Sequence, residues 1–255
     1  TPLYSSAASD VYKRQGDDNA PPLIDGEYEI FGQRIDATTG AEIGSNDLRI
    51  SDMGPDGSAD YAAAYPAVAY NSIDDEYLVV WVGTNDLAGM ALGETEIYGQ
   101  RLNAATGAEV GANDFPISSM GPVGDATYGV LMPAVAYNST DNQYLVVWSG
   151  DDDIAPLVEG EDEIFGQRLL ADGGHVGADD LRLSDMGPDG ATVYGARSPD
   201  VAYNSTDGEY LVVWHGDDNT GSLADNEFEI YGQRVEAATG AQIGADLRLS
   251  DMGLD

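Results

Sequence analysis

The sequence predicts an all-β fold, a β-propeller-like array of four-stranded antiparallel blades, and three observations carry the prediction. Tyr-Leu-Val-Val-Trp occurs at 77–81, 144–148 and 210–214. About fifteen residues beyond each comes Glu-Ile-aromatic-Gly-Gln-Arg, which occurs four times, with its glutamines at Gln33, Gln100, Gln167 and Gln233. The shorter connections within each copy are turn-forming stretches of the kind that joins hairpins. A period of 66–67 residues, with several short strands in each copy, is the signature of repeat architectures in which no copy can cover its own faces.

Within one copy, 133–186, four strands can be read. Pro133 to Asn138 opens with a proline, which a strand tolerates at its first position. Ser139 to Asn142 form a polar turn. Tyr144 to Trp148 is a short apolar run without alternation, as expected of a strand buried on both faces. Glu163 to Leu169 and Leu181 to Ser184 follow, joined by a turn that reads Ala-Thr-Thr-Gly at 37–40 and Ala-Ala-Thr-Gly at 104–107. Four strands per copy fit a propeller blade. A β-solenoid of stacked coils is the alternative, disfavoured by turns suited to hairpins within each copy.

This reading divides the chain into a leader at 1–15, a half blade at 16–54, and whole blades at 55–120, 121–186 and 187–253. The leader matches nothing in the repeats. Its ending, Asp-Val-Tyr-Lys-Arg-Gln, resembles a translated sequencing-adaptor tail, so residues 1–15 are expected to be non-native or disordered. The remainder reads as part of a longer array, and the absence of a signal peptide says nothing about secretion.

Composition narrows the partners. The 255 residues carry 46 acidic and 10 basic side chains, a formal net charge of −36. Such a surface repels nucleic-acid phosphates and anionic membranes, and no apolar run approaches the roughly 20 residues of a membrane span. No nucleic acid and no membrane insertion are therefore expected; oligomeric state is not legible. The acidity suits divalent cations or high-salt surroundings. With no cysteine, disulfides and thiolate sites are excluded.

Residues that recur in every copy are read as structural: Trp81, Trp148 and Trp214 as core between blades; Arg34, Arg101, Arg168 and Arg234 as internal clamps; Met53, Met120, Met186 and Met252 as packing. The glycine of aromatic-Gly-Gln-Arg is expected where a large aromatic of the neighbouring sheet approaches closely. Catalysis would need residues that break the repeat. His175, His215 and Arg197 do so, the last in a loop where other copies have Tyr65 and Leu131 or Met132. Each is read as an exposed substitution, because none has a sequence-adjacent base, nucleophile or metal partner. No catalytic residue is assigned.

The functional lead is the variable acidic loop after each tryptophan. In the third copy Asp151, Asp152, Asp153, Glu161 and Asp162, and in the fourth Asp217, Asp218, Asn219, Asp225 and Glu227, offer clustered oxygens of the kind calcium takes six to eight at a time. The spacing is not that of an EF-hand, and a solvated acidic loop is the plainer reading.

The repeat Ala-Tyr-Asn-Ser, Glu-Tyr-Leu-Val-Val-Trp, Glu-Ile-Tyr-Gly-Gln-Arg, as at 202–205, 209–214 and 229–234, resembles repeats of large bacterial extracellular proteins of propeller-like architecture. The resemblance implies secretion or surface display and brings no activity or catalytic residues. The function expected is a non-catalytic extracellular module whose acidic loops bind a carbohydrate or protein ligand, with calcium as a stabilising ion. The alternatives are a fragment of a polysaccharide-acting propeller enzyme, a glycosidase or lyase with its active site outside this stretch, and a purely structural salt-adapted array.

Overall fold

A computed structural model describes residues 9–17, 21–85, 89–152, 154–218 and 227–252, with side chains from residue 21 onward. Every regular element among them is a strand. The first sheet holds β1 (Ser9–Asp17), β2 (Tyr28–Asp36) and β3 (Glu42–Arg49); the second, β4 (Ala63–Asn71), β5 (Glu76–Gly83), β6 (Glu96–Asn103) and β7 (Glu109–Pro116). The third holds β8 (Val130–Asn138), β9 (Gln143–Gly150), β10 (Glu163–Leu170) and β11 (His175–Arg182); the fourth, β12 (Gly195–Asn204), β13 (Glu209–Asp217), β14 (Glu229–Glu236) and β15 (Gln242–Arg248). Each sheet is an antiparallel meander in chain order, so each is one blade.

The Tyr-Leu-Val-Val-Trp strand shows why the sheets stack. Successive side chains of a strand point to opposite faces, and both faces here are apolar. Tyr77, Val79 and Trp81 join Ile30, Ile50 and Met53 of the first sheet in one core, while Leu78 and Val80 join Tyr144, Val146 and Trp148 of the third in the next. The pattern repeats when Leu145 and Val147 meet Tyr210, Val212 and Trp214. All three tryptophans are buried as expected. The Trp81 and Trp214 indole N–H groups donate to the Met53 and Met186 sulfurs at 3.5 and 3.2 Å, so each methionine packs beneath the tryptophan of the following blade. The outermost strands β3, β7, β11 and β15 are largely exposed.

Several boundaries differ from the sequence reading. The proline strand begins earlier: Pro133 lies inside β8 at a register shift between Leu131 and Ala134, after Met132 at φ 51°. Tyr65 and Ser198 hold the same left-handed conformation before Pro66 and Pro199. A bulge is the other place a sheet accepts proline, and here it bends the first strand in three blades. The fourth strand also starts earlier, at His175 in the third sheet, and stops at Arg182. Arg197 accordingly lies within β12 and not in a loop, paired across the ladder with His215.

The leader differs too. Ser9–Asp17 form β1, whose register on β2 pairs Tyr12 with Gln33 and Arg14 with Phe31, as Val79 pairs with Gln100 and Trp81 with Tyr98. This strand takes the second-strand place in the first sheet, and the boundary expected at residue 15 falls inside it.

The glycine expectation needs a correction of detail. A Cβ at Gly99, Gly166 or Gly232 would lie 2.8–2.9 Å from Ile117, Leu183 or Leu249, which belong to the same blade just beyond its fourth strand. The close neighbour comes from within the blade because the third and fourth strands shift register at that point. The glutamine next to it bridges the gap: Gln100 accepts the Asp114 N–H at 3.1 Å and donates to the Arg101 carbonyl at 2.9 Å.

Candidate functional site

The acidic loops are held by their own carboxylates. Glu94 accepts the Ala91 N–H at 2.7 Å and the Gly124 N–H at 2.9 Å; Glu161 accepts those of Val158 at 3.2 Å and Gly190 at 2.9 Å; Glu27 accepts those of Ile24 and Gly57, each at 3.0 Å. One glutamate thus closes the loop and ties it to the turn beyond the fourth strand. Two residues on, Glu29, Glu96 and Glu163 are buried and accept the Ser51, Ser118 and Ser184 hydroxyls and the Met53, Met120 and Met186 amides. Arg49 and Arg182 add ion pairs at 2.7 and 2.5 Å to Glu29 and Glu163. The second blade has Pro116 at that position, so Glu96 has no such arginine. Burial pushes Glu96 up to about 7, with the Asp180 and Glu94 carboxylates adding to the rise.

Of the residues proposed as calcium ligands, Asp152 and Asp218 accept the Gly121 and Gly187 amides at 3.4 and 3.3 Å, and Asp217 is buried at the end of β13. Glu161 is the loop clamp just described, and Glu227 is half-buried before β14. Asp153, Asn219 and Asp225 lie outside the described residues. Among those described, no three His, Asp or Glu side chains gather into a group that could hold a metal ion.

Asp151 and Asp162, by contrast, line one open cleft of about 560 Å³, where the acidic loop of the third blade meets the starts of β8 and β12. Thr127, Leu131 and Ser149 form another part of its wall, and Arg197 reaches it from β12. Gly195 allows the approach, since a Cβ there would lie 3.1 Å from the Asp162 carbonyl. The Arg197 guanidinium holds the Asp162 carboxylate at 2.6 Å through Nη2 and 2.9 Å through Nε. Asp151 accepts the Gly160 N–H at 2.5 Å through Oδ2, while its buried Oδ1 has no hydrogen-bond partner. Burial raises the Asp151 pKa against the opposing Gly160 bond, and Asp162, Glu159 and Asp152 push it further up. The cleft therefore holds two acids in different surroundings, one desolvated and one ion-paired.

Sequence reading named Asp151 and Asp162 but assigned Arg197 no role. Its signal was that it breaks the repeat, and so does its ladder partner His215, whose ring lies 5.8 Å from Phe228. His175 is an exposed substitution, as expected: it pairs with Asp179 at 2.8 Å and reaches the Pro116 carbonyl at 3.4 Å.

No protein-family model matches the chain, and no curated protein matches its sequence. Among solved structures it is similar to an exo-β-1,3-galactanase of Phanerochaete chrysosporium, at 14% identity and TM-score 0.49 over 94% of this chain and 47% of that one. It is also similar to a Hadza microbial sialidase, at 11% and 0.49 over 84% and 44%, and to a GH43_12 protein from a capybara gut metagenome, at 13% and 0.48 over 95% and 40%. The chain spans less than half the length of each of these three. Likeness of this degree says nothing about what the chain binds. The class is defined by its own topology, an all-β, propeller-like array of antiparallel blades.

Proposed function

We propose that this chain is the ligand-binding part of an extracellular, carbohydrate-directed propeller and that the cleft between the third and fourth blades is its saccharide site. The observation that carries the reading is the Asp162–Arg197 pair in an open cleft of ligand size. Its carboxylates accept sugar hydroxyls and its guanidinium donates to ring and hydroxyl oxygens. The net charge of −36 disfavours anionic polymers, so the ligand class is neutral saccharide. Secretion or surface display rests on the repeat's resemblance to bacterial extracellular proteins. An array of immobilised neutral and acidic glycans tests the reading. Retention of neutral glycans by the chain, and its loss in Asp162→Asn, supports it; uniform absence of binding contradicts it.

A second reading, part of a polysaccharide-acting glycosidase or lyase, has its own support: paired acids in unlike environments are what glycoside cleavage uses. New reducing ends hydrolysed from a neutral polysaccharide, or unsaturated ends eliminated from a uronate polymer, abolished in Asp151→Asn, would favour it over binding alone.

Calcium belongs to the same proposal. The buried Asp151 Oδ1 and Glu161 Oε1 have no hydrogen-bond partner, and calcium accepts carboxylate and backbone oxygens alike. A ligand at about 100 times its dissociation constant adds about 2.7 kcal/mol, so chelation at fixed ionic strength should lower Tm. An unmoved Tm removes the ion from the account.

A further inference from the structure

The fourth blade leaves one face uncovered, and its residues are those that every earlier blade buries. Met252 is 73% exposed, whereas Met53, Met120 and Met186 are each 1% exposed beneath the next blade. Leu249 and Ile230 are about half exposed; their counterparts Ile50, Ile117 and Leu183, and Ile30, Ile97 and Ile164, are fully buried. Leu211 is exposed where Leu78 and Leu145 are not. In the earlier blades the cover is always of one kind, the alternate Tyr, Val and Trp of a following Tyr-Leu-Val-Val-Trp strand. A second contact accompanies it. The Asp114, Asp180 and Asp246 carboxylates of the following blade accept the Asp52, Ser119 and Asp185 amides, at 2.8, 3.2 and 2.9 Å.

From this continuity with three formed interfaces we infer that the open face of the fourth blade is the seat of a further blade of the same repeat. That blade brings a Tyr-x-Val-x-Trp strand, whose indole covers Met252, and an aspartate for the Asp251 amide. A second copy of the chain is a poor substitute, because its three Tyr-Leu-Val-Val-Trp strands are already packed in its own cores. The inference is independent of the cleft and its ligand.

Methionine oxidation tests it, since sulfoxide formation follows exposure. In the chain as it stands, dilute peroxide should oxidise Met252 and the exposed Met132 quickly, with Met53, Met120 and Met186 protected. With one further copy of residues 187–252 fused behind Met252, oxidation of Met252 should slow by about tenfold or more, the order expected when exposure gives way to a locally opening contact. Met132 should be unchanged. Restoring fast oxidation with Trp214→Ala in the added copy would tie the protection to the indole. Met252 oxidised at the same rate in the fused chain overturns the inference. So does concentration-dependent protection of Met252 in the unfused chain, which would make a second copy the occupant.

Discussion

Arg197 of the fourth blade and Asp162 of the third meet at 2.6 Å on the rim of the cleft, joining two blades through side chains that no other copy possesses. The repeat elsewhere keeps its blades together with buried tryptophans, methionines and backbone clamps, so this exposed pair is not needed for stacking. Exposed ion pairs contribute about 0–1 kcal/mol. Replacing Arg197 with alanine should therefore leave the thermal midpoint within a few degrees of the parent and weaken saccharide binding by about tenfold or more, the loss of one charge-assisted hydrogen bond. Calorimetric titration beside a thermal melt checks both halves; a large fall in Tm with unchanged affinity would make the pair structural.

Trp148 sits at the centre of the core shared by the second and third blades. Trp148→Ala should cost about 3–5 kcal/mol and move the urea midpoint accordingly. A midpoint that stayed in place would refute its role between blades.

Gln100 supplies the acceptor for the Asp114 amide at a ladder break, where Asp114 holds φ 45°. Gln100→Ala leaves that buried donor unpaired, at a cost of about 1–3 kcal/mol. Denaturant unfolding measures it, and hydrogen exchange at Asp114 should quicken more than exchange at the middle of β5.

The buried acids set a pH dependence. Burial raises Glu96 and Asp114 to about 7 and Asp180 and Asp246 to about 6, above their ordinary values of 4.5 and 3.8. A carboxyl whose folded pKa is raised binds its proton more tightly in the folded chain. Its contribution to stability is full below the ordinary value and is lost as pH rises through the folded one. The protein should melt higher at pH 5 than at pH 8. Glu96→Gln, which keeps an acceptor but cannot ionise, should flatten the slope; a slope unchanged or reversed would contradict the assignment.

Much of this molecule could be read from its residues, and the reasons are physical. Tyr-Leu-Val-Val-Trp must be buried on both faces, so its place inside a stacked sheet followed from the apolar run alone. The role of Gln100 did not, because a glutamine's partners are set by a break in the ladder that no local pattern records. The acidic loops were legible only in part. A sequence displays the oxygens of Glu161 and Asp152 but not the backbone amides of Gly190 and Gly121, each of which bonds to one of them. Arg197 was visible as an exception to the repeat, but its partner lies 35 residues earlier, across a blade boundary.

The most direct test of the saccharide reading is a titration of the amide resonances of the chain with the neutral oligosaccharide it retains best from a panel of hexose and pentose polymers. The account predicts that shifts concentrate on Gly129, Gly150, Asp151, Gly160 and Asp162, the backbone around the cleft, and need about tenfold more saccharide to develop in Arg197→Ala. Shifts centred on another blade, or none with any saccharide in the panel, would contradict it.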